Sequence, residues 1–141
     1  IGPRQAPGFV VPDFCQQIAL IEAGRQEPRI RVGNLDARRA FSDVRDVVSG
    51  YQLALGRGRA GQVYNIGSAR SVTIRELLDK LLEMSRVPIQ IETDATRLRP
   101  SDIPDLRCDS SRLAHDTGWQ SRYTLEETLA EVLDYWRDCT V

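Results

Sequence analysis

The chain has 141 residues, a net charge of −1, 41% hydrophobic and 28% charged residues. This size and composition predict one globular domain with a core of its own and exclude a disordered chain. No apolar run reaches the length of a membrane span, and the basic excess usual in nucleic-acid-binding domains is missing. We therefore expect neither a membrane nor a nucleic acid as a partner.

The cysteines and the histidine point to no metal or redox site. Cys15, Cys108 and Cys139 are odd in number and form no C-x-x-C pair, so neither a disulfide framework nor a zinc site is predicted, and a cytoplasmic location fits. His115 is expected on a helix surface, because no partner motif for a catalytic base surrounds it. Ile1 is neither a start methionine nor part of a signal peptide, so the chain is expected to begin within a longer protein.

The first half of the chain predicts two helices around a charged stretch. Apolar periodicity predicts a helix from Val11 to Gly24, followed by a short strand from Arg29 to Val32 and a turn at Gly33 and Asn34. Phe41 is predicted to begin a second short strand or a bend. Asp43 is predicted to cap a second helix that stops in a glycine-rich loop. The apolar face of this helix comprises Val44, Val47, Val48, Tyr51 and Leu55.

The second half predicts two strands and three helices. Strand composition marks Gln62 to Ile66 and Pro88 to Glu92. Capping boxes open two of the helices, one after Thr73 with Glu76 and one after Thr124 with Glu127. A short helix is predicted between them, from Asp109 to Gly118, after a proline-rich loop from Arg97 to Asp105. With about five helices and three or four short strands, we expect a mixed α/β fold with a small, incomplete sheet.

Two adjacent arginines stand out in the stretch from Gly33 to Asp46. Arginine presents a planar fork of N–H donors that matches phosphate oxygens, so Arg38 and Arg39 are candidates to bind a diphosphate. The alternative is that both are solvated surface arginines, since charged residues are mostly exposed and Lys80 is the sole lysine of this arginine-rich chain.

Four segments in order carry a family resemblance. They are Gly2 to Phe14, Gly33 to Asp46, Gly61 to Ser68 and Arg97 to Pro104, and the T-G-W at Thr117 to Trp119 follows them. Together they resemble the carboxy-terminal portion of the extended short-chain dehydrogenases that act on nucleotide sugars. Within that family the segments look most like the group of GDP-mannose 4,6-dehydratases and GDP-6-deoxy-4-keto-mannose reductases.

The resemblance implies a substrate-binding lobe with specific phosphate ligands. Arg39 occupies the position of the family's R-D-F arginine, which contacts the diphosphate, although Ala40 replaces the usual aspartate; Arg38 is the alternative ligand. Arg99 matches the arginine of the R-P-x-D/E motif, and Asp102 matches its acidic residue, which accepts from ribose hydroxyls. For Asp102 a turn-forming role in the proline loop is the alternative.

Two further residues are weaker candidates for the substrate site. Asn34 and Gln5 are predicted to contact the nucleotide or the sugar, and ordinary turn roles are equally compatible with both.

The resemblance also implies parts that this sequence does not contain. It has no glycine-rich dinucleotide fingerprint and no Tyr-x-x-x-Lys pair, so we expect no catalytic residue here, no bound NAD or NADP, and no activity of the chain alone. A Rossmann lobe holding NAD(P) is expected in the intact enzyme, itself expected to be a homo-oligomer. That lobe, or another copy of the chain, would cover residues 43–68; solvated Val44, Val47 and Tyr51 would mark the uncovered face.

Alternatives remain for the function. If the intact enzyme is a GDP-sugar dehydratase or reductase, NAD(P) would exchange a hydride with the sugar at C4. A UDP- or dTDP-sugar epimerase or dehydratase would use the same arginines with a different base. A non-catalytic nucleotide-sugar binding or interaction domain would keep the fold without the chemistry. A merely structural domain becomes untenable if Arg39 and Arg99 face one cleft.

Overall fold

A computed structural model describes residues 1–98 and 103–140 of the chain. The helices are α1 (Val10–Glu22), α2 (Val44–Arg57), α3 (Ile74–Glu83), α4 (Ser111–Thr117) and α5 (Leu125–Thr140). The strands are β1 (Arg29–Val32), β2 (Arg38–Ala40), β3 (Ser71–Thr73), β4 (Gln90–Thr93) and β5 (Asp105–Leu106), and a 3₁₀ turn spans Ala95–Arg97.

The hydrophobic core lies where α1, α3 and α5 pack on one another and on β1. Each helix contributes the residues of one face, as its 3.6-residue apolar period requires. In β1, Ile30 and Val32 are fully buried while Arg29 and Arg31 face outward. The fully buried large side chains of the three helices are Val11, Ile18, Leu77, Leu78, Leu81, Leu129, Val132 and Leu133.

The strands of the described residues form two small sheets. β1 and β4 pair in parallel, with Ile30 opposite Ile91. In the second sheet β2 lies between β3, which is antiparallel to it, and β5, which is parallel to it. The predicted mixed α/β fold with about five helices and a small sheet is confirmed, although its strands are divided between two sheets.

Local capping explains where the helices begin and end. At α3 the Thr73 hydroxyl accepts from the Glu76 amide at 2.9 Å, and the Glu76 carboxylate accepts from the Thr73 amide at 2.7 Å. Thr124 and Glu127 form the same reciprocal pair before α5. Gly118 ends α4 with φ 75°, a conformation that a residue with a Cβ adopts only at a cost. Both capping boxes are therefore confirmed.

Helix α2 buries its polar side and exposes most of its apolar side, which is the reverse of the core helices. Its buried residues are Asp46 and Gly50, whereas the predicted apolar face is exposed at Val44, Val48, Tyr51 and Leu55 and half-buried at Val47. The Asp46 carboxylate accepts hydrogen bonds from the Ser121 hydroxyl and from two backbone amides of the loop before α5. At Gly50, any Cβ would collide with Ile66. The side of α2 that meets this chain is thus polar and closely fitted.

Asp43 caps α2 and belongs to the same buried polar layer. Its carboxylate accepts from the Arg45 amide at 2.8 Å, from the Arg45 guanidinium, and from the buried Thr128 hydroxyl at 2.8 Å. Burial raises the pKa of Asp43, but these hydrogen bonds and the Arg45 charge outweigh burial and hold the pKa at about 2. Arg45 also lies over the Tyr123 ring and pairs with Glu131.

Two strand predictions are wrong. Gln62 to Ile66 forms no strand, because within the described residues no neighbouring strand pairs with its backbone. The Val63 carbonyl accepts a hydrogen bond from the Arg112 side chain instead. A short strand or a bend was expected to begin at Phe41; the strand lies at Arg38–Ala40, since Phe41 already leads into the Asp43 cap. β3 was not predicted, and β5 begins inside the predicted loop.

The described residues contain no helix long and apolar enough to cross a membrane. Within the same residues, no group of three or more His, Cys, Asp or Glu side chains is placed to hold a metal ion. His115 lies on the surface of α4, with 79% of its side chain exposed, as predicted.

Candidate functional site

A cleft of about 760 Å³ opens between the start of α1, the connection from β1 to β2, and the 3₁₀ turn. Its apolar lining comes from the first turn of α1, from Ala37 before β2 and from Ile74 at the start of α3. Charged groups stand at two places on its walls. The full lining comprises Gly8, Phe9, Val10, Asp13, Phe14, Gly33, Asn34, Ala37, Arg39, Ile74, Thr96 and Arg97.

Arg39 is the predicted arginine that lines this cleft. It sits in the middle strand of the β3-β2-β5 sheet, opposite Val72 and Leu106. Its Nη1 donates to the Arg38 carbonyl at 2.6 Å and to the Ile103 carbonyl at 2.9 Å. Two main-chain acceptors therefore fix the guanidinium, which arrives at the cleft already oriented.

Arg38 does not line the cleft. Its Nη2 donates to the Ser71 carbonyl at 2.9 Å, and its guanidinium lies 3.9 Å from both Glu76 and Asp105. Successive side chains of a strand point to opposite faces of the sheet, so one of two adjacent arginines must point away from the other. Arg38 thus ties β2 to β3, β5 and α3.

The start of α1 forms a second feature of the cleft. Phe9 precedes the helix in an extended conformation, provides no side-chain cap, and is 60% exposed. The last residues before the helix, Gly8 and Phe9, and its first residue, Val10, all line the cleft. An uncapped helix start carries partial positive charge and unsatisfied N–H groups, so it favours an anion.

The lining of the cleft also includes an ion pair that the sequence did not single out. The Arg97 Nη1 donates to Asp13 Oδ2 at 2.7 Å, and Gln17 Nε2 donates to the same oxygen at 2.9 Å. Gly33 passes so close to the Arg97 carbonyl that any Cβ at position 33 would collide with it. The acidic residue in the first turn of α1 and the R-x-R at positions 97–99 were the available signals.

The remaining predicted residues differ in what the structure describes. Asn34 lines the cleft, and its Oδ1 accepts from the Asp36 amide at 2.9 Å, which is a turn-forming bond. Gln5 lies outside the lining; its Oε1 is buried and has no hydrogen-bond partner among the described residues. Arg99 and Asp102 lie outside the described residues, so their roles stay predictions.

The fold is a mixed α/β domain, and its cleft combines an oriented arginine and an uncapped helix start with an apolar lining. The chain belongs to the GDP-mannose 4,6-dehydratase family, whose model matches residues 1–132. This is a family of NAD(P)-dependent enzymes of nucleotide-sugar metabolism, as the resemblance predicted.

Individual relatives agree with the family. GDP-6-deoxy-D-mannose reductase of Pseudomonas aeruginosa is 38% identical over 136 residues, which cover 96% of this chain and 45% of that protein. A dTDP-glucose 4,6-dehydratase of Actinoplanes sp. is 32% identical over 137 residues, covering 96% of this chain and 41% of that protein.

A solved relative shows the same fold. The structure of RMD from Pseudomonas aeruginosa complexed with NADPH superposes with a TM-score of 0.92 at 36% identity, over 99% of this chain and 46% of that one. This chain matches the carboxy-terminal part of such enzymes and spans less than half the length of these relatives. The predicted fold class is confirmed.

Proposed function

We propose that this chain is the substrate-binding lobe of a longer NAD(P)-dependent enzyme that acts on a GDP-sugar. The observation that carries the proposal is one cleft in which the oriented guanidinium of Arg39 and the uncapped start of α1 both face the same volume. Both features favour a phosphate group. The predicted ligands Arg99 and Asp102 would complete the site from the loop before β5.

The lobe contributes binding energy to the reaction. A diphosphate held at Arg39 and at the helix start fixes the position of the attached sugar, and this positioning is worth far more than the ground-state contact itself. The nicotinamide cofactor, when bound, supplies the hydride exchange at the sugar. Because this sequence has no Tyr-x-x-x-Lys pair and no glycine-rich fingerprint, we place that chemistry in another part of the protein and expect the lobe alone to be inactive.

The same proposal accounts for the exposed face of α2. Tyr51 is 58% exposed and Leu55 is 90% exposed, and Val63 of the extended segment after the helix is 77% exposed. An apolar face of this extent is typical of a surface that another domain covers. We propose that residues 43–68 pack on the Rossmann lobe of the intact enzyme, with a second copy of the chain as the alternative.

A second candidate differs in the nucleotide that the lobe binds. The similarity to a dTDP-glucose 4,6-dehydratase favours a lobe for a dTDP- or UDP-sugar. Titration of the natural full-length protein with GDP, UDP and dTDP separates the candidates. A non-catalytic binding domain would bind one of these nucleotides without turning over the corresponding sugar nucleotide.

We further propose a cytoplasmic location, because Cys15, Cys108 and Cys139 are free thiols.

Arg39→Ala in the natural full-length protein tests the diphosphate site. Loss of a charge-assisted hydrogen bond costs about 2 kcal/mol, so the Kd for GDP should rise about 30-fold in calorimetric titration. The matched control is Arg75→Ala, because Arg75 is a half-exposed arginine of α3 that pairs with Asp79 outside the cleft. The Kd of Arg75→Ala for GDP should not change.

The phosphates themselves provide the second half of this test. Guanosine, which lacks them, should bind Arg39→Ala and the unchanged protein alike. An equal loss for GDP and guanosine, or an unchanged Kd for GDP, would contradict the placement of the diphosphate at Arg39.

A further inference from the structure

We infer that Arg38 is a positioning residue for the diphosphate site and acts through Arg39. Its side chain holds β2 against β3 and β5, and this arrangement brings the Ile103 carbonyl to the Arg39 guanidinium. The inference rests on the proposed function, because it takes Arg39 to bind the diphosphate. It gives Arg38 a role other than that of a second phosphate ligand.

The orientation of Arg39 depends on a segment that is distant in the sequence. Arg39 Nη1 donates to the Ile103 carbonyl at 2.9 Å, across 64 positions of the chain. Protein N–H···O bonds span about 2.7–3.2 Å, so a displacement of this carbonyl by about 1 Å would remove one of the bonds that orient the guanidinium. A less restrained guanidinium loses more conformational entropy when it binds a phosphate. The position of Ile103 therefore affects the affinity of Arg39 for an anion.

Apolar burial contributes little to the position of Ile103 and of the strand that follows it. β5 consists of two residues, Asp105 and Leu106, and it pairs with the first two residues of β2. Ile103 is 51% exposed and Leu106 is 50% exposed. Because pairing over so few residues is marginally stable by itself, side-chain contacts decide how firmly β5 lies against β2.

The Arg38 guanidinium supplies such contacts. Its Nη2 donates to the Ser71 carbonyl of β3 at 2.9 Å, and its Nε lies 3.9 Å from Asp105 Oδ2 of β5. Its Nη1 lies 3.9 Å from Glu76 Oε2 in the first turn of α3. One planar group therefore links β2 to both neighbouring strands at once, which the fork of an arginine permits better than the point charge of a lysine.

Asp105 is a suitable partner for Arg38 because its charge is maintained. Arg107 Nε and Nη2 both donate to Asp105 Oδ2, at 2.9 Å and 2.6 Å. These hydrogen bonds hold the pKa of Asp105 below its ordinary value of 3.8. The carboxylate that faces Arg38 is therefore ionised at neutral pH and is held by a second arginine.

Two roles for Arg38 make different predictions. A direct phosphate ligand would contribute to binding whether or not Arg39 is present, whereas a positioning residue has an effect only while Arg39 is present. The cleft lining includes Arg39 and not Arg38, which favours the second role. Adjacent side chains of a strand point to opposite faces, so the two arginines of β2 do not converge on one ligand.

Arg38→Met in the natural full-length protein tests this inference by calorimetric titration. Methionine keeps an unbranched apolar stem and removes the guanidinium. The Kd for GDP should rise about fivefold, because Arg39 loses an orienting bond, while the Kd for guanosine should stay unchanged. Arg75→Met is the matched control: the ion pair of Arg75 with Asp79 on α3 also measures 3.9 Å, and this variant should bind GDP as the unchanged protein does.

A double-mutant cycle separates positioning from direct contact. When Arg39 is already alanine, Arg38→Met should not weaken GDP binding further, because the residue through which Arg38 acts is gone. A merely structural role would give a different result, since damage to the lobe would weaken the binding of GDP and of guanosine in either background.

Asp105→Asn approaches the same link from β5, and it replaces Arg38→Met if that variant does not fold. The substitution removes the charge that faces Arg38 and should raise the Kd for GDP about threefold, with guanosine again unchanged. In the Arg39→Ala background it should likewise have no effect on GDP.

The possible failures are distinguishable. An unchanged Kd for GDP in Arg38→Met, or equal losses for GDP and guanosine, would overturn the positioning role and leave the proposed function intact. A further loss of GDP affinity when Arg38→Met is added to Arg39→Ala would overturn it as well and make Arg38 a ligand in its own right. If Arg39→Ala binds GDP as the unchanged protein does, the proposed diphosphate site and the inference fail together.

Discussion

Helices α3 and α2 are both amphipathic, yet they bury opposite sides. α3 buries Ile74, Leu77, Leu78 and Leu81 against α1 and α5. α2 buries Asp46 and Gly50 and leaves most of its apolar residues in solvent. Burial of apolar surface is the main favourable term in folding, so a helix that exposes it is held by other forces.

Those other forces are specific hydrogen bonds. Asp43 and Asp46 accept from side chains and backbone amides of α5 and of the loop before it, and Trp119 Nε1 donates to the Asp46 carbonyl at 3.0 Å. Helix α2 therefore has a defined position with little apolar burial, and most of its apolar side is exposed. The core helices bury the apolar surface of this chain, and we propose that the apolar side of α2 packs on another domain.

The largest expected effect is in the core. Leu78→Ala should lower the free energy of unfolding of the natural protein by about 3 kcal/mol, because Leu78 is fully buried and truncation leaves a cavity. Urea titration measures the loss. Leu82→Ala is the matched control on the same helix, since Leu82 is only partly buried, and it should cost clearly less. Equal costs would contradict the burial difference.

A smaller effect should appear in acid, on the polar side of α2. The pKa of Asp43 is about 2 in the folded protein, below its ordinary value of 3.8. A group with a depressed folded pKa stabilises the protein above its ordinary pKa, and that stability is lost as the pH falls toward the folded pKa. The loss amounts to about 2 kcal/mol between pH 4 and pH 2.

Asp43→Asn isolates this contribution from the other carboxylates. The difference in unfolding free energy between the unchanged protein and the variant should shrink over that pH range. A constant difference would show that Asp43 is not ionised against Arg45 and Thr128 in the folded state.

The smallest expected effect concerns the apolar side of α2. Leu55 is 90% exposed in this chain, so Leu55→Ala should cost almost nothing unless another domain covers it. If the Rossmann lobe packs there, the variant of the natural protein should lose about 1.5 kcal/mol, the value of a largely buried leucine side chain. Val87→Ala in the turn after α3 is the control. An unchanged free energy would contradict a covered α2.

The helices were predictable because their signals are local. Each capping box predicts a helix start from four consecutive residues, as Thr73 with Glu76 and Thr124 with Glu127 do. Gly118 ends α4 by its own backbone conformation. The apolar period gave the right residues for α2 as well. It could not say that these residues face away from the chain, because a local period marks the apolar side of a helix and not the surface on which that side packs.

The short strands were harder because a strand exists only with its neighbour. β2 and β5 are defined by a parallel pairing of Arg38 with Asp105, residues far apart in sequence. Gln62 to Ile66 has the composition of a strand and lacks a neighbour among the described residues. In both places composition is insufficient, because backbone pairing is decided by tertiary contacts.

The candidate site, too, was predictable from the sequence only in part. The sequence by itself singled out two arginines beside a turn and matched them to a family of nucleotide-sugar enzymes. That Arg39 faces the cleft and Arg38 faces Glu76 and Asp105 follows from the side alternation of β2, which required the strand to be located first.

Amino-acid types and short spacings by themselves determined the helices, the capping boxes and the family of this protein, since these depend on neighbours within a few residues. Tertiary structure alone decided which arginine lines the cleft, that Asp13 and Arg97 meet across 84 positions of sequence, and that α2 turns its apolar side outward. The physical reason is that cleft geometry and burial arise when distant segments pack, and no local pattern encodes which segments meet.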